Sequence, residues 1–142
     1  MATFSKTITV KSDIQNTFYF VADFRNLHKW NPHDEASLTS KEPLRSGSIF
    51  EVKTKFNERE ITLNYEVIEW GPPLRASLQS RNSNFDITDT IFLSANNKGT
   101  ELTYTVDVKF KGIFKIIGPF FNKQFNNLME NIYELEKILG PA

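Results

Sequence analysis

Near its C-terminal end the chain carries a stripe of large apolar side chains that dictates what the rest of the sequence must supply. Phe114, Ile117, Phe121, Phe125, Leu128, Ile132, Leu135 and Leu139 follow one another in steps of 3, 4, 4, 3, 4, 3 and 4, the spacing of one face of an α-helix. Gly118-Pro119 interrupts the stripe, and proline, lacking an N–H, belongs in the first turn of a helix. The spacing therefore predicts a short turn over 113–117 and one long helix from Pro119 to Leu139, stopped by Gly140-Pro141. At 1.5 Å per residue that helix is about 31 Å long. Its apolar face needs an equally long partner, and a ten-residue strand of about 33 Å has the matching length.

The preceding residues read as such strands. Phe4, Ile8 and Val10 alternate with Thr7, Thr9 and Lys11, while Lys6 on the apolar side must sit at a strand end or snorkel. Ser12-Asp13-Ile14-Gln15 reads as a capping box with Ser12 as the cap, and Ile14, Phe18 and Val21 form the stripe of a short helix ending near Ala22. Asp23 caps a second short piece, Phe24 to Trp30, which Pro32 ends. From Ser37 to Phe110 alternation resumes between turns at Ser46-Gly47-Ser48, Asn57-Glu58, Gly71-Pro72-Pro73, Arg81-Asn82-Ser83-Asn84 and Asn96-Asn97-Lys98-Gly99. Ile68 and Trp70 take over the apolar parity held by Tyr65 and Val67, which predicts a β-bulge. The order β-α-α-β(6)-α is that of an α+β domain, residues 1–142, with helices on one side of an antiparallel sheet.

Composition narrows the function. Lys and Arg number 17, Asp and Glu 17, and the pI is 6.7, which argues against nucleic acid as a partner. The chain has no cysteine, so thiol nucleophiles and thiolate metal sites are excluded. His28 and His33, near Asp34 and Glu35, lack the spacing of a helical H-E-x-x-H site and a third ligand, so no metal is expected. With no G-x-G-x-x-G, no G-K-[ST] and no G-x-S-x-G string, no cofactor and no hydrolase elbow are expected either. No stretch of 18 apolar residues occurs and the first residues contain no apolar h-region, so the expectation is a soluble, cytoplasmic chain. Lys111, Lys115 and Lys123, beside Phe114 and Phe120, suit transient contact with an anionic membrane surface or simply a solvated face, without stable insertion.

Several strings resemble the START-like, or SRPBCC, superfamily, in its polyketide cyclase/dehydrase and lipid transport branch. Asp23-Phe24-Arg25-Asn26 followed by Trp30-Asn31-Pro32 is similar to that family's D-x-x-N-x-x-x-W-x-P segment. Pro72-Pro73-Leu74-Arg75 is similar to its P-P-x-R turn, and Gly99-Thr100-Glu101-Leu102-Thr103-Tyr104 to the G-T-x-L-T-Y start of its last strand. Gly112 and the ending Glu134-Leu135-Glu136-Lys137-Ile138-Leu139 also fit. The resemblance implies a helix-grip fold, a curved antiparallel sheet wrapped around a long C-terminal helix with a deep apolar cavity between. It also implies a hydrophobic small molecule, such as a lipid or polyketide, as ligand, and it implies no particular reaction.

Aromatic residues make up 13% of the chain and 13 of its residues are Phe, so the inward positions have two readings: lining of a ligand cavity or an ordinary filled core. The candidate lining is Trp30, Phe50, Val52, Thr54, Phe56, Tyr65, Leu78, Phe85, Ile87, Asp89, Ile91, Tyr104, Val106, Phe121, Phe125 and Met129. Asp89, inward between Ile87 and Ile91, is the candidate catalytic group: a desolvated carboxyl with a raised pKa can act as a general acid or anchor a ligand hydroxyl. A position at the open strand end, or a bulge, would instead turn it outward. Three functions fit: carriage of a hydrophobic molecule, cyclase- or dehydratase-like chemistry on one, or a protein-interaction module on the same fold.

Overall fold

A computed structural model describes residues 2–56, 58–118 and 122–142, with the side chains of Phe56, Ile117, Gln124 and Leu128 outside the description. Strand β1 (Ala2–Val10) leads into helix α1 (Ile14–Ala22), a 3₁₀ turn (Phe24–Asn26) and helix α2 (Leu27–Trp30). Six strands follow: β2 (Glu35–Leu38), β3 (Ile49–Phe56), β4 (Arg59–Gly71), β5 (Arg75–Arg81), β6 (Phe85–Asn96) and β7 (Gly99–Phe110). The chain ends in α3 (Phe114–Ile117), α4 (Asn122–Glu130) and α5 (Ile132–Leu139). The strands form one antiparallel sheet in the order β1-β7-β6-β5-β4-β3-β2. The first strand therefore pairs with the last, and the α+β order read from the sequence is the observed one.

Alternation in the sequence becomes two faces of the sheet. On β6, Phe85, Ile87, Asp89, Ile91 and Leu93 are buried, as are Leu102, Tyr104, Val106 and Val108 on β7. The opposite face of the β1–β7 pair carries a hydroxyl ladder, Ser5 to Thr105 and Thr7 to Thr103, each 3.0 Å. Cross-strand pairs of this kind stabilise a sheet by roughly 0.2–1 kcal/mol each. The ladder between β4 and β5 shifts register between Val67 and Glu69, so the bulge stands where the parity changes. Its details differ from the reading: Ile68 is exposed, and Trp70 packs edge-on against Phe18 of α1, centroids 5.1 Å apart. Leu74 falls in the turn before β5 and is exposed as well.

Two helix expectations need correction. Asp13, not Ser12, caps α1, its carboxylate accepting the Asn16 N–H at 2.7 Å. A carboxylate suits the positive end of a helix, whereas the Ser12 backbone is committed elsewhere: its N–H donates to the Leu139 carbonyl at 3.1 Å and its own carbonyl accepts the Thr100 hydroxyl at 2.8 Å. The single long C-terminal helix is two helices, α4 and α5, meeting at Asn131. There the Asn131 amide donates to Asn31 Oδ1 at 2.9 Å, and the Glu134 N–H bonds back to the Asn131 carbonyl, an i to i+3 closure. The Asn131 side chain thereby ties the start of α5 to the loop after α2. Pro119 and Phe121, the expected helix start, lie outside the described residues. The apolar stripe survives the break, since Phe125, Met129, Ile132 and Leu135 are all buried.

The turn between β6 and β7 is held by close approach. Gly99 has φ +136°, and a Cβ there would stand 2.0 Å from the Val10 carbonyl oxygen. Replacing Gly99 with alanine should therefore cost about 3 kcal/mol, combining backbone strain with the clash. Urea unfolding would show this as a lower midpoint, and an unchanged midpoint would mean that β1 and the turn are not in contact.

Candidate functional site

Between the sheet and the C-terminal helices lies a pocket of about 80 Å³. Strands β3, β4, β6 and β7 give it one wall, while α2, α4, α5 and the loop after α2 give the other. An engineered apolar cavity of about 150 Å³ takes up benzene, so this pocket holds several waters' worth of space and not yet a large ring system. Its lining is dominated by apolar and aromatic side chains.

Eleven of the sixteen positions expected from the sequence line it: Trp30, Val52, Thr54, Tyr65, Phe85, Ile87, Asp89, Tyr104, Val106, Phe125 and Met129. Phe50, Leu78 and Ile91 do not. All three are fully buried, but Phe50 packs on Phe24 at 5.7 Å between centroids, and Leu78 and Ile91 sit within the ladders of the central strands. Parity shows which face a side chain takes, not whether the opposing layer touches it there. Phe121 and the Phe56 side chain lie outside the described residues. The pocket adds Phe24, Leu27, Asn31, Asp34, Ile61, Leu63 and Ile132. Of these Asn31 and Asp34 are the most informative: both are buried polar residues, in a loop whose sequence carries no periodic signal for them.

Two hydrogen-bonded clusters face the pocket. In the first, the Tyr104 hydroxyl donates to Asp89 Oδ2 at 2.6 Å, and Trp30 meets the Tyr104 ring edge-on, centroids 5.5 Å apart. Asp89 is only 8% exposed, and its Oδ1 has no hydrogen-bond partner among the described residues. In the second, Asp34 accepts from the Asn31 amide at 2.8 Å and from the Thr54 hydroxyl, while Asn31 in turn accepts from Asn131. The clusters sense each other electrostatically. Burial pushes the Asp89 carboxyl up to about 7, with the charges of Asp34 and Asp107 adding to the rise and the Tyr104 bond opposing it. Burial also raises Asp34, against the lowering influence of the Thr54 bond and His33. Tyr65 and Tyr104 are held well above the usual phenol value, by burial first and then by the neighbouring carboxylates.

Other sequence candidates lie outside this constellation. The His28 ring contacts the Arg25 carbonyl at 3.2 Å. Among the described residues no three His, Asp or Glu side chains are grouped to hold a metal ion, and no helix is long and apolar enough to cross a membrane. Near α3 the exposed apolar residues are Ile113 and Ile116, whereas Phe114 is half-buried and Phe120 is outside the described residues. Lys111 is engaged by Asp86 at 2.8 Å.

A family model described as polyketide cyclase / dehydrase and lipid transport matches residues 1–136. No curated protein matches the chain. Among solved structures, a START superfamily protein from Mycobacterium smegmatis is similar with TM-score 0.75 and 14% identity, over 97% of this chain and 99% of that one. The major latex-like protein 151 from Panax ginseng is similar with TM-score 0.71 and 12% identity, over 99% and 98% of the two chains. The di-domain ARO/CYC StfQ of the steffimycin biosynthetic pathway is similar with TM-score 0.74 and 11% identity, over 96% of this chain and 50% of its own length. At these identities the likeness is one of fold.

Burial of Asp89 predicts a pH dependence of stability. Its folded-state pKa, about 7, lies above the unfolded value of about 3.9. Between these values the folded protein binds more protons than the unfolded one, so its stability falls as pH rises from about 4 to 7 and then levels off. At about 1.4 kcal/mol for each tenfold in proton affinity, the loss approaches about 4 kcal/mol. Asp89→Asn removes this loss, so urea unfolding should show the variant gaining on the native protein across that interval. A stability difference independent of pH would contradict the burial of an ionisable Asp89.

Proposed function

As a member of the polyketide cyclase / dehydrase and lipid transport family, the chain has a helix-grip fold, and we propose that it binds a hydrophobic small molecule between the sheet and the C-terminal helices. The observation that carries this reading is the apolar, aromatic-lined pocket at that interface, with a few polar groups among its lining, the general make-up of small-molecule sites. Affinity would come from enclosure. Burying about 300 Å² of ligand at about 25 cal/mol per Å² gives up to about 7 kcal/mol, less the cost of immobilisation. That corresponds to a Kd between about 10 µM and 1 mM for a small aromatic ligand.

A second reading has its own support. Asp34, Asp89, Tyr65 and Tyr104 converge on one pocket, and Asp89, near 7, is matched to moving protons at neutral pH. Acid–base chemistry on a bound hydrophobic substrate would use these groups, in line with a family that includes cyclases and dehydrases by description. Convergence of ionisable groups favours this reading over a smooth carrier pocket, and binding is its first step in either case.

N-phenyl-1-naphthylamine, an uncharged apolar dye, should gain fluorescence on binding. Val106→Phe extends a side chain of the lining into the pocket and should weaken the dye at least tenfold at a stability cost of about 1–3 kcal/mol. Dye binding that is absent, or indifferent to Val106→Phe, would count against the site.

A further inference from the structure

Resting on that binding reading, we propose that the pocket takes its ligand donor-first: an apolar molecule bearing a hydroxyl or protonated amine, which donates to Asp89 Oδ1, with carboxylic acids turned away. The argument begins with what an ionised carboxylate can do. It only accepts hydrogen bonds, and its two oxygens need separate donors. Asp89 Oδ2 has the Tyr104 hydroxyl at 2.6 Å, whereas Oδ1 is buried without a partner among the described residues. A buried, unsatisfied carboxylate oxygen is costly to leave bare.

Among the described residues, Tyr104 gives the one hydrogen bond to the Asp89 side chain; the Tyr65 hydroxyl lines the same pocket and feels the Asp89 charge without bonding to it. Asp89 stands opposite Leu78 on β5 and Val106 on β7, both apolar. The charges that act on it come from Asp34 and Asp107, both carboxylates. Among the described residues no Lys, Arg or His lines the pocket. The cation nearest in register is Lys6, opposite Tyr104 on β1, and its ammonium is turned away to Glu130 at 3.3 Å and over the Tyr133 ring.

Asp34 is a poorer candidate for the open acceptor. Its Oδ2 accepts from Asn31 and its Oδ1 from Thr54, so both oxygens are already in use. Where they are ionised, the two carboxylates together nevertheless set the sign of the field inside the pocket. A donor or a cation is favoured there, and an anionic head meets two like charges in a low-dielectric space. The aromatic faces of Trp30, Tyr65 and Tyr104 add to the preference when the head is an amine.

The test uses one carbon skeleton with four head groups: 2-methylnaphthalene, naphthalene-2-methanol, 2-(aminomethyl)naphthalene and 2-naphthoate. Each displaces N-phenyl-1-naphthylamine from the full chain at pH 8.5, where Asp89 is ionised. The alcohol, the amine or both should bind about tenfold tighter than 2-methylnaphthalene, the usual gain for a hydrogen bond to an ionised group, and naphthoate should bind more weakly than it. An advantage confined to the alcohol identifies a hydroxyl ligand, and one confined to the amine a cationic ligand. In Asp89→Leu the advantage should shrink to about twofold or less, with 2-methylnaphthalene still bound. Should that variant not fold, Asp89→Asn supplies the reading: with Tyr104 donating to the amide oxygen, an N–H faces the pocket, and naphthoate should gain on the amine. Equal binding of all four compounds would overturn the donor-first proposal and leave the binding site standing. Failure of all four, and of the dye, would overturn both.

Discussion

Four elements that are distant in sequence are tied together at Ser12. Its N–H donates to the Leu139 carbonyl at the end of α5, and its carbonyl accepts the hydroxyls of Thr17 in α1 and Thr100 in β7. Next to it, the Lys11 N–H donates to the Gly140 carbonyl at 2.8 Å, and Val10 bridges Pro141. Thr17 and Thr100 are fully buried, so these bonds lie where an unpaired polar group is expensive. The junction joins the end of β1, the start of α1, the start of β7 and the end of α5. Without it the last helix would lose its backbone bonds to the end of β1. Gly99 and Gly140 belong to the same junction, since side chains there would run into Val10 and Lys11.

With the helix end pinned, the inner face of the sheet must be filled or left hollow, and the chain does some of each. Phe18, Phe50, Leu78, Ile91 and Leu93 pack without exposure. Next to them the chain places two carboxylates, two phenols and an asparagine on one pocket. An apolar core would be more stable without them, because buried charge is penalised unless paired. Departures from ordinary core composition of this kind concentrate at functional sites, which is why the pocket, and not the core beside it, is read as the site.

Much of this was legible in the sequence because strand alternation is a strong local signal. Period two placed Asp89, Tyr104 and Tyr65 on the inner face, and the parity change at Ile68 marked the bulge. Helix spacing likewise marked Phe125 and Ile132 as buried. What alternation cannot carry is the opposite wall. Asn31 and Asp34 lie in a loop without period, and their role depends on Thr54 and Asn131, which are distant in sequence. The break at Asn131 was hidden for the same reason: the apolar spacing runs through it undisturbed, and only the partner on the Asn31 loop reveals it. Phe50, Leu78 and Ile91 show the converse, with the right parity and a place outside the lining.

The size of the pocket, about 80 Å³, sets a condition on a naphthalene-sized ligand: part of the lining must yield to enclose it. The sheet wall is held by the backbone ladders of β3, β4, β6 and β7, so displacing it breaks backbone hydrogen bonds. Helix α5 is pinned by the backbone bonds at Leu139 and Gly140 and by the Asn131–Asn31 bond. Helix α4 presents Phe125 and Met129 to the pocket. Its ties to the sheet include the stacking of Phe125 on Phe4 at 5.3 Å and the ion pair of Glu130 with Lys6. That ion pair is partly to well exposed, and such pairs contribute little. Moving the sheet or α5 loses directional bonds that an apolar ligand cannot replace.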